Sequence, residues 1–443
     1  MPTAPTPIST PKRLSLPEVN ATVSVSQSPV YWRRLAGFLG PGFLIAVGYM
    51  DPGNWATDIA GGARYGYTLL FVIMLSNLMA ILLQSLSLKL GIATERDLAQ
   101  MCHEEYGKRV SVVLWIMAEI AIAACDMAEV IGSAIALNLL FHIPLFYGVL
   151  ITGLDVMVIL LLQKWGFRYI EALVIALIGT IVVMFGIQVV LSRPDHLSAL
   201  ASLFIPSPQI VTNPGMLYIA IGILGATVMP HNLYLHSSIV QSRNYPRTPK
   251  GKREAIHLAN IDSALALTLA LFVNAGILIV AAAVFHRSGH FEVAAIEDAY
   301  KLLSPLVGAW FASTLFAVAL LASGQNSSIT GTLAGQIVME GFIHLSVSPW
   351  LRRLITRLLA IVPTIIVVAI NGSAGTEKLL ILSQVILSLQ LSFAVVPLVV
   401  FTGRRALMGE FVNARVLQAL AWVTAVLIAG LNIWLLVQTA MGN

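Results

Sequence analysis

The chain has 443 residues, of which 58% are hydrophobic and 11% charged, with a formal net charge of +5. Soluble domains are about 45–50% apolar and about 25% charged, so this chain lacks the charges to cover a water-facing surface. That balance excludes a soluble enzyme, a nucleic-acid binder and a disordered chain, and leaves a polytopic membrane protein. The excess of Lys and Arg fits cytoplasmic loops better than an anionic partner. Cys102 and Cys125 are far apart and lack the spacing of a disulfide framework or a thiolate metal site.

Residues 1–35 begin with a run rich in Pro, Ser and Thr and are expected to form a disordered cytoplasmic tail. A membrane-crossing helix needs about 20 mostly apolar residues. Eleven such stretches follow, near 39–63, 68–92, 111–138, 146–163, 169–191, 215–241, 256–285, 304–326, 352–371, 377–401 and 416–438. With the N-terminus inside, twenty of the 26 Lys and Arg fall on the inner side. Arg64, Arg193, Arg287, Lys301 and Lys378 fall outside, and Lys89 near the inner end of span two. This bias predicts a cytoplasmic N-terminus and, after eleven spans, an outer C-terminus.

Span one carries Asp51-Pro52-Gly53-Asn54 near its middle, and span six carries Gly225-Ala226-Thr227-Val228-Met229-Pro230-His231. Proline removes a backbone donor and clashes with the preceding turn, while a mid-membrane carboxylate is costly unless it faces a cavity. One such break reads equally well as a simple kink. Two breaks, five spans apart and so crossing in opposite senses, predict an inverted-repeat secondary transporter. The expected repeats are residues 36–192 and 193–402, with an eleventh helix in 403–443.

The breaks offer the Asp51 carboxylate, the Asn54 amide oxygen and freed carbonyls such as those of Gly48 and Ala226. Oxygen donors alone suit Mg²⁺ or Ca²⁺, whereas the Met229 thioether favours Mn²⁺, Fe²⁺ or Cd²⁺. Span three adds Glu119, Asp126 and Glu129 on one stripe within about 80° of the helix circumference. Buried carboxylates of this kind mark ion paths and proton relays, and Arg352, Arg353 and Arg357 of span nine are natural partners. His231, beside Met229, has a side chain that ordinarily titrates near pH 6.5, whereas His236 is expected to face elsewhere. Asp155 in span four has no evident partner or role.

Asp51-Pro52-Gly53-Asn54 and Met229-Pro230-His231, with Tyr234-Leu235-His236-Ser237, resemble the two helix-break motifs of the Nramp family. Gly324-Gln325-Asn326-Ser327-Ser328-Ile329-Thr330-Gly331-Thr332, Gly335-Gln336 and Met339-Glu340-Gly341-Phe342 resemble its transport motif, expected after span eight. The likeness covers roughly residues 35–440. It implies an all-α, LeuT-type inverted 5+5 fold and proton-coupled import of divalent transition metals, in bacteria chiefly manganese. It implies coordination by Asp51, Asn54, Met229 and the Ala226 carbonyl, with Gln384 joining in occluded states. It also sets Asp51, His231, Asp126, Glu129 and Arg353 on a proton route, Asp51 releasing its proton as the cation arrives.

Trp55 and Asn232 depart slightly from the common pattern, and the twelfth span usual in animal members is absent. A bacterial inner-membrane protein is therefore expected, carrying Mn²⁺, Fe²⁺ or Cd²⁺ without a resident cofactor or obligate protein partner. A sodium-coupled amino-acid or nucleobase transporter would lack the thioether and the carboxylate, and a channel would not need inverted broken helices. No enzyme motif is present.

Overall fold

The computed structural model describes residues 15–16, 19–26, 28–153, 166–345, 349–371 and 373–440, some within 349–377 and 438–440 by backbone alone. Helix α1 (Tyr31–Phe38) leads into α2 (Pro41–Gly48) and α3 (Pro52–Tyr65), the two halves of expected span one. Then come α4 (Leu70–Thr94), α5 (Leu98–Phe141), α6 (145–153) and α7 (Phe167–Ser192). Helices α8 (His196–Phe204) and α9 (Gln209–Thr212) connect to α10 (Pro214–Thr227) and α11 (Pro230–Ile239), the halves of span six. They are followed by α12 (Pro249–Ala281), α13 (Ile296–Val307), α14 (Ala312–Ile343) and α15 (Pro349–Asn371). The chain closes with α16 (Ser373–Gly403), α17 (Arg405–Met408) and α18 (Arg415–Ala440).

Seven of the described helices are long and apolar enough to cross a bilayer. Broken span six is counted among them as the single run Pro214–Ser242, whereas span one, with halves of 8 and 14 residues, is not. Both breaks follow one local rule. Pro52 and Pro230 each occupy the first turn of the outgoing helix, where the missing N–H has no intrahelical partner to lose. Tyr49, Met50 and Asp51 lie between the first pair of helices, and Val228 and Met229 between the second.

Helix α5 packs along α14, with α16 and α15 against its flanks. Helix α12 lies against α2, α3 and α4, and α10 bridges α3 to α16. The broken segments are thus enclosed on all sides, and Trp55, Tyr49 and Met50 are buried.

Three features differ from the sequence expectation. Span eight does not start near 304, since α13 ends at Val307, where Gly308 takes φ +76°, and α14 starts at Ala312. The motif of residues 324–342 lies inside α14, not after it. Two of its hydroxyls are satisfied within the helix, Thr330 and Thr332 donating to the carbonyls of Ser327 and Ser328. Its glycines allow close approach: a Cβ on Gly324 would sit 2.2 Å from the Ser133 hydroxyl of α5. Finally, the expected tail is partly ordered, for β1 (Val23–Ser24) pairs in parallel with β2 (Arg243–Asn244).

Candidate metal-binding site

The first break spends its carbonyls unevenly. The Tyr49 carbonyl accepts from Asn274 Nδ2 of α12 at 2.8 Å. That of Met50 accepts from Trp55 Nε1 at 3.2 Å and from the Ser323 hydroxyl. The carbonyl of Gly48 has the long 3.4 Å contact with Asn54 Nδ2. Buried carbonyls are normally satisfied, so a weakly bonded one at a helix end is a ready ligand.

Asp51 caps α3, its Oδ1 accepting from the Asn54 backbone N–H at 2.8 Å. The Asn54 side-chain Nδ2 donates to the same oxygen at 2.6 Å and to the Ala226 carbonyl at 3.1 Å. One amide therefore stands amid acceptors from both breaks. The carbonyl ends of α2 and α10 face it, and a helix C-terminus favours a cation.

Met229 is fully buried, and a Cβ built on Gly48 would lie 3.2 Å from its sulfur. The Gln384 amide packs so tightly over Gly53 that a Cβ there would fall 1.6 Å from Nε2. Asp51 Oδ2, Thr227 Oγ1, Asn274 Oδ1 and Gln384 Oε1 are all buried without a hydrogen-bond partner. Unpaired buried oxygens are costly, and so many beside two helix breaks fit a cation that is carried through. Among the described residues no group of three or more His, Cys, Asp and Glu is arranged to hold an ion, so the donors would be mainly amide and carbonyl oxygens.

Asp126 and Glu129 are buried on α5 and face α14, where a Cβ on Gly331 would lie 2.9 Å from Asp126 Oδ1. Glu129 Oε1 accepts from the Ser327 hydroxyl at 3.0 Å and from the Cys125 thiol at 3.5 Å. The same sulfur lies 3.9 Å from His231 Nε2, which links the second break to the acidic pair. Glu119 is half-buried and accepts from Trp115 Nε1 of its own helix at 3.0 Å. The side chains of Arg352, Arg353 and Arg357, and all of Asp155, lie outside the described residues.

Residues 42–438 match the family described as natural resistance-associated macrophage protein-like, or Nramp. The chain belongs to the Nramp family. This member is 60% identical over 430 residues to the divalent metal cation transporter MntH of Nostoc sp., covering 97% of both chains. It is 62% identical over 425 residues to the MntH of Listeria innocua, covering 96% of this chain and 95% of that one. Among solved structures it resembles the Eremococcus coleocola manganese transporter in complex with an aromatic bis-isothiourea substituted compound. That likeness has a TM-score of 0.88 at 46% identity, over 95% of this chain and 90% of the other. The nucleobase-cation-symport-1 family transporter Mhp1 shares the fold at 14% identity and a TM-score of 0.60, over 89% of this chain and 92% of that one. The Nramp-family chain is a transporter, not an enzyme.

Sequence reasoning passed over Asn274, which holds the Tyr49 carbonyl, and Asp58, buried one turn beyond Asn54 on the same side of α3. A carboxylate at i+4 from a candidate ligand was the available signal for Asp58. It also sent His236 elsewhere, yet His236 Nδ1 meets Gln84 Oε1 at 2.9 Å. Gln84 Nε2 in turn donates to the Tyr49 hydroxyl at 2.8 Å, so His236 joins the first break through two side chains.

Proposed function

We propose that this Nramp-family protein imports divalent transition-metal ions, Mn²⁺ foremost and Fe²⁺ and Cd²⁺ with it, coupled to protons by alternating access. The observation that supports this best is the meeting of the two breaks at Asn54, whose amide touches Asp51 and the Ala226 carbonyl together. The cation is held by Asp51, Asn54, Met229 and the carbonyls of Gly48 and Ala226, with Gln384 closing over it. Carboxylate, amide and carbonyl oxygens with one thioether suit Mn²⁺, Fe²⁺ and Cd²⁺ better than Mg²⁺ or Ca²⁺.

Asp51 releases its proton to the relay as the cation arrives. His231, Asp126 and Glu129, with Glu119, carry protons onward, and Arg352 and Arg353 belong to the same route as fixed positive charges. On this reading the protein sits in a bacterial inner membrane with eleven spans, its N-terminus cytoplasmic and its C-terminus outside. Residues 36–192 and 193–402 are the inverted repeats, and no protein partner is required.

Uptake into proteoliposomes decides it. An inward proton gradient is expected to drive Mn²⁺ uptake, with Mg²⁺ excluded and Na⁺ without effect. Uptake that depends on Na⁺ and ignores the pH gradient would overturn the proton coupling.

A further inference from the structure

Chain termini ordinarily fray unless something ties them down. Here the residues before α1 are tied at three places. The Leu16 backbone N–H donates to Glu340 Oε2, near the end of α14, at 2.8 Å. Ser15 is buried beside the Asp97 carboxyl, which caps the start of α5. The Ala21 N–H donates to the Gln241 carbonyl at 3.0 Å, and Val23–Ser24 pair with Arg243–Asn244 just after α11. Leu16, Val19 and Val23 are 1%, 5% and 6% exposed, which is core burial for a segment expected to be a loose tail.

The strap is continuous with the inner half of span one. Val25 packs on Gly37 of α1, and α1 runs through Gly40 into α2. Arg243, the strand partner of Val23, is fully buried and donates to Glu171 Oε1 at 2.8 Å and to the Leu39 carbonyl at 2.9 Å. Asp262 takes the N–H groups of Gly40 and Gly42 at 3.1 and 2.6 Å. The strap and α2 thus share one anchorage at Arg243, while the far end of the strap is fastened to α14 beside the start of α5. A swing of α2 away from the site pulls on a segment whose other end is held by a different helix.

We propose that Ser15–Leu16 and Val19–Ser26 form a cytoplasmic latch that holds α2 against the bundle and must release for the inner side to open. The proposal rests on the alternating-access reading and on the inward N-terminus. It adds a device to the chain outside the cation site. Leu16, buried and bonded to the end of α14, is its bolt, and the Glu340 carboxyl is its catch.

Hydrogen–deuterium exchange of the full chain in lipid nanodiscs tests this, read by mass spectrometry with Leu16→Asp and with a variant lacking residues 1–26. In the wild type the peptide over 19–26 is expected to exchange slowly. Leu16→Asp is expected to free it and to speed exchange over 31–48 about tenfold, leaving 111–138 and 312–343 unchanged. Release of the strap without faster exchange over 31–48 overturns the latch, as does fast exchange of 19–26 in the wild type. Should Leu16→Asp exchange faster everywhere, the shortened variant decides by the same comparison of 31–48 with 312–343. Mn²⁺ uptake measured on the same preparations keeps the two ideas apart. Absent uptake with the expected exchange pattern refutes transport and leaves the latch standing.

Discussion

The side-chain nitrogen of Asn54 lies 3.1 Å from the carbonyl oxygen of Ala226, joining two helix breaks that are 172 residues apart. The same nitrogen is 2.6 Å from Asp51 Oδ1, so the amide occupies a point toward which acceptors converge. A cation taking that point requires the amide to turn over and present its oxygen, which now faces Asn274 Nδ2 at 3.4 Å. Asn274 also donates to the Tyr49 carbonyl at 2.8 Å, a bond that does not involve the Asn54 side chain.

Asn54→Ala and Asp51→Ala are therefore expected to lower Mn²⁺ uptake by at least about 100-fold while leaving the protein folded. Binding measured by calorimetry should fall with uptake, and thermal unfolding should stay near that of the wild type. Near-normal uptake by purified Asp51→Ala protein would remove the carboxylate from the site.

Gly40 is a tight joint at the start of α2. Its φ is +142°, and a Cβ there would come within 2.5 Å of the Glu171 carboxyl carbon and 2.7 Å of Arg243 Nη2. Gly40→Ala should cost about 1–3 kcal/mol and slow uptake, because it pushes apart a buried ion pair as well as straining the backbone. Gly308→Ala separates the two causes, since Gly308 has φ +76° with nothing within 4 Å of its Cβ direction. Equal losses of thermal stability in both variants would show that strain alone is at work.

The breaks were readable because Pro52 and Pro230 are punctuation that no tertiary contact can overwrite. The acidic pair was readable because carboxylates are rare in apolar spans and Asp126 and Glu129 stand out against their neighbours. Asn274 was not readable, for a single amide in an apolar run carries no period and its partner is a backbone carbonyl 225 residues away. The strap escaped for a similar reason. Leu16, Val19 and Val23 are too few and too irregular to read as an element, and their burial comes from helices far along the chain. Gly308 hid inside an apolar stretch, where length alone suggested one continuous helix.

Asp97 gives the end of the bundle that carries the strap a dependence on pH. Burial is the largest influence on its carboxyl and raises its pKa from 3.8 to about 6 against the hydrogen bonds it accepts. A carboxyl that holds its proton more tightly when folded favours the folded state at low pH. That contribution is full below about 4 and is lost as pH climbs through about 6. Asp97→Asn keeps an oxygen for the Gln100 N–H and removes the charge. Relative to this variant, the wild type should lose up to about 3 kcal/mol between pH 4 and pH 7.5. Parallel unfolding temperatures for the two proteins across that range would mean that Asp97 is charged throughout.

With the proposed donor set, selectivity is expected to turn on the one sulfur, because Met229 is buried against Gly48 at the second break while the other proposed donors are oxygens. Met229→Ala should leave part of the Mn²⁺ transport, since Asp51, Asn54 and the two carbonyls remain. Cd²⁺ should suffer more than Mn²⁺, because its bond to sulfur is the more favourable and no oxygen replaces it. Discrimination against Ca²⁺ and Mg²⁺ should weaken as well, for the vacated volume admits a water that a hard cation retains as a ligand. The readout is competition of Mn²⁺ uptake by Cd²⁺, Ca²⁺ and Mg²⁺ in wild type and variant. A difference between metals within one variant cannot come from a general loss of folding, which would lower all of them together. If the variant keeps the wild-type order, with Ca²⁺ and Mg²⁺ still excluded, Met229 fills space and the preference is set by the oxygens.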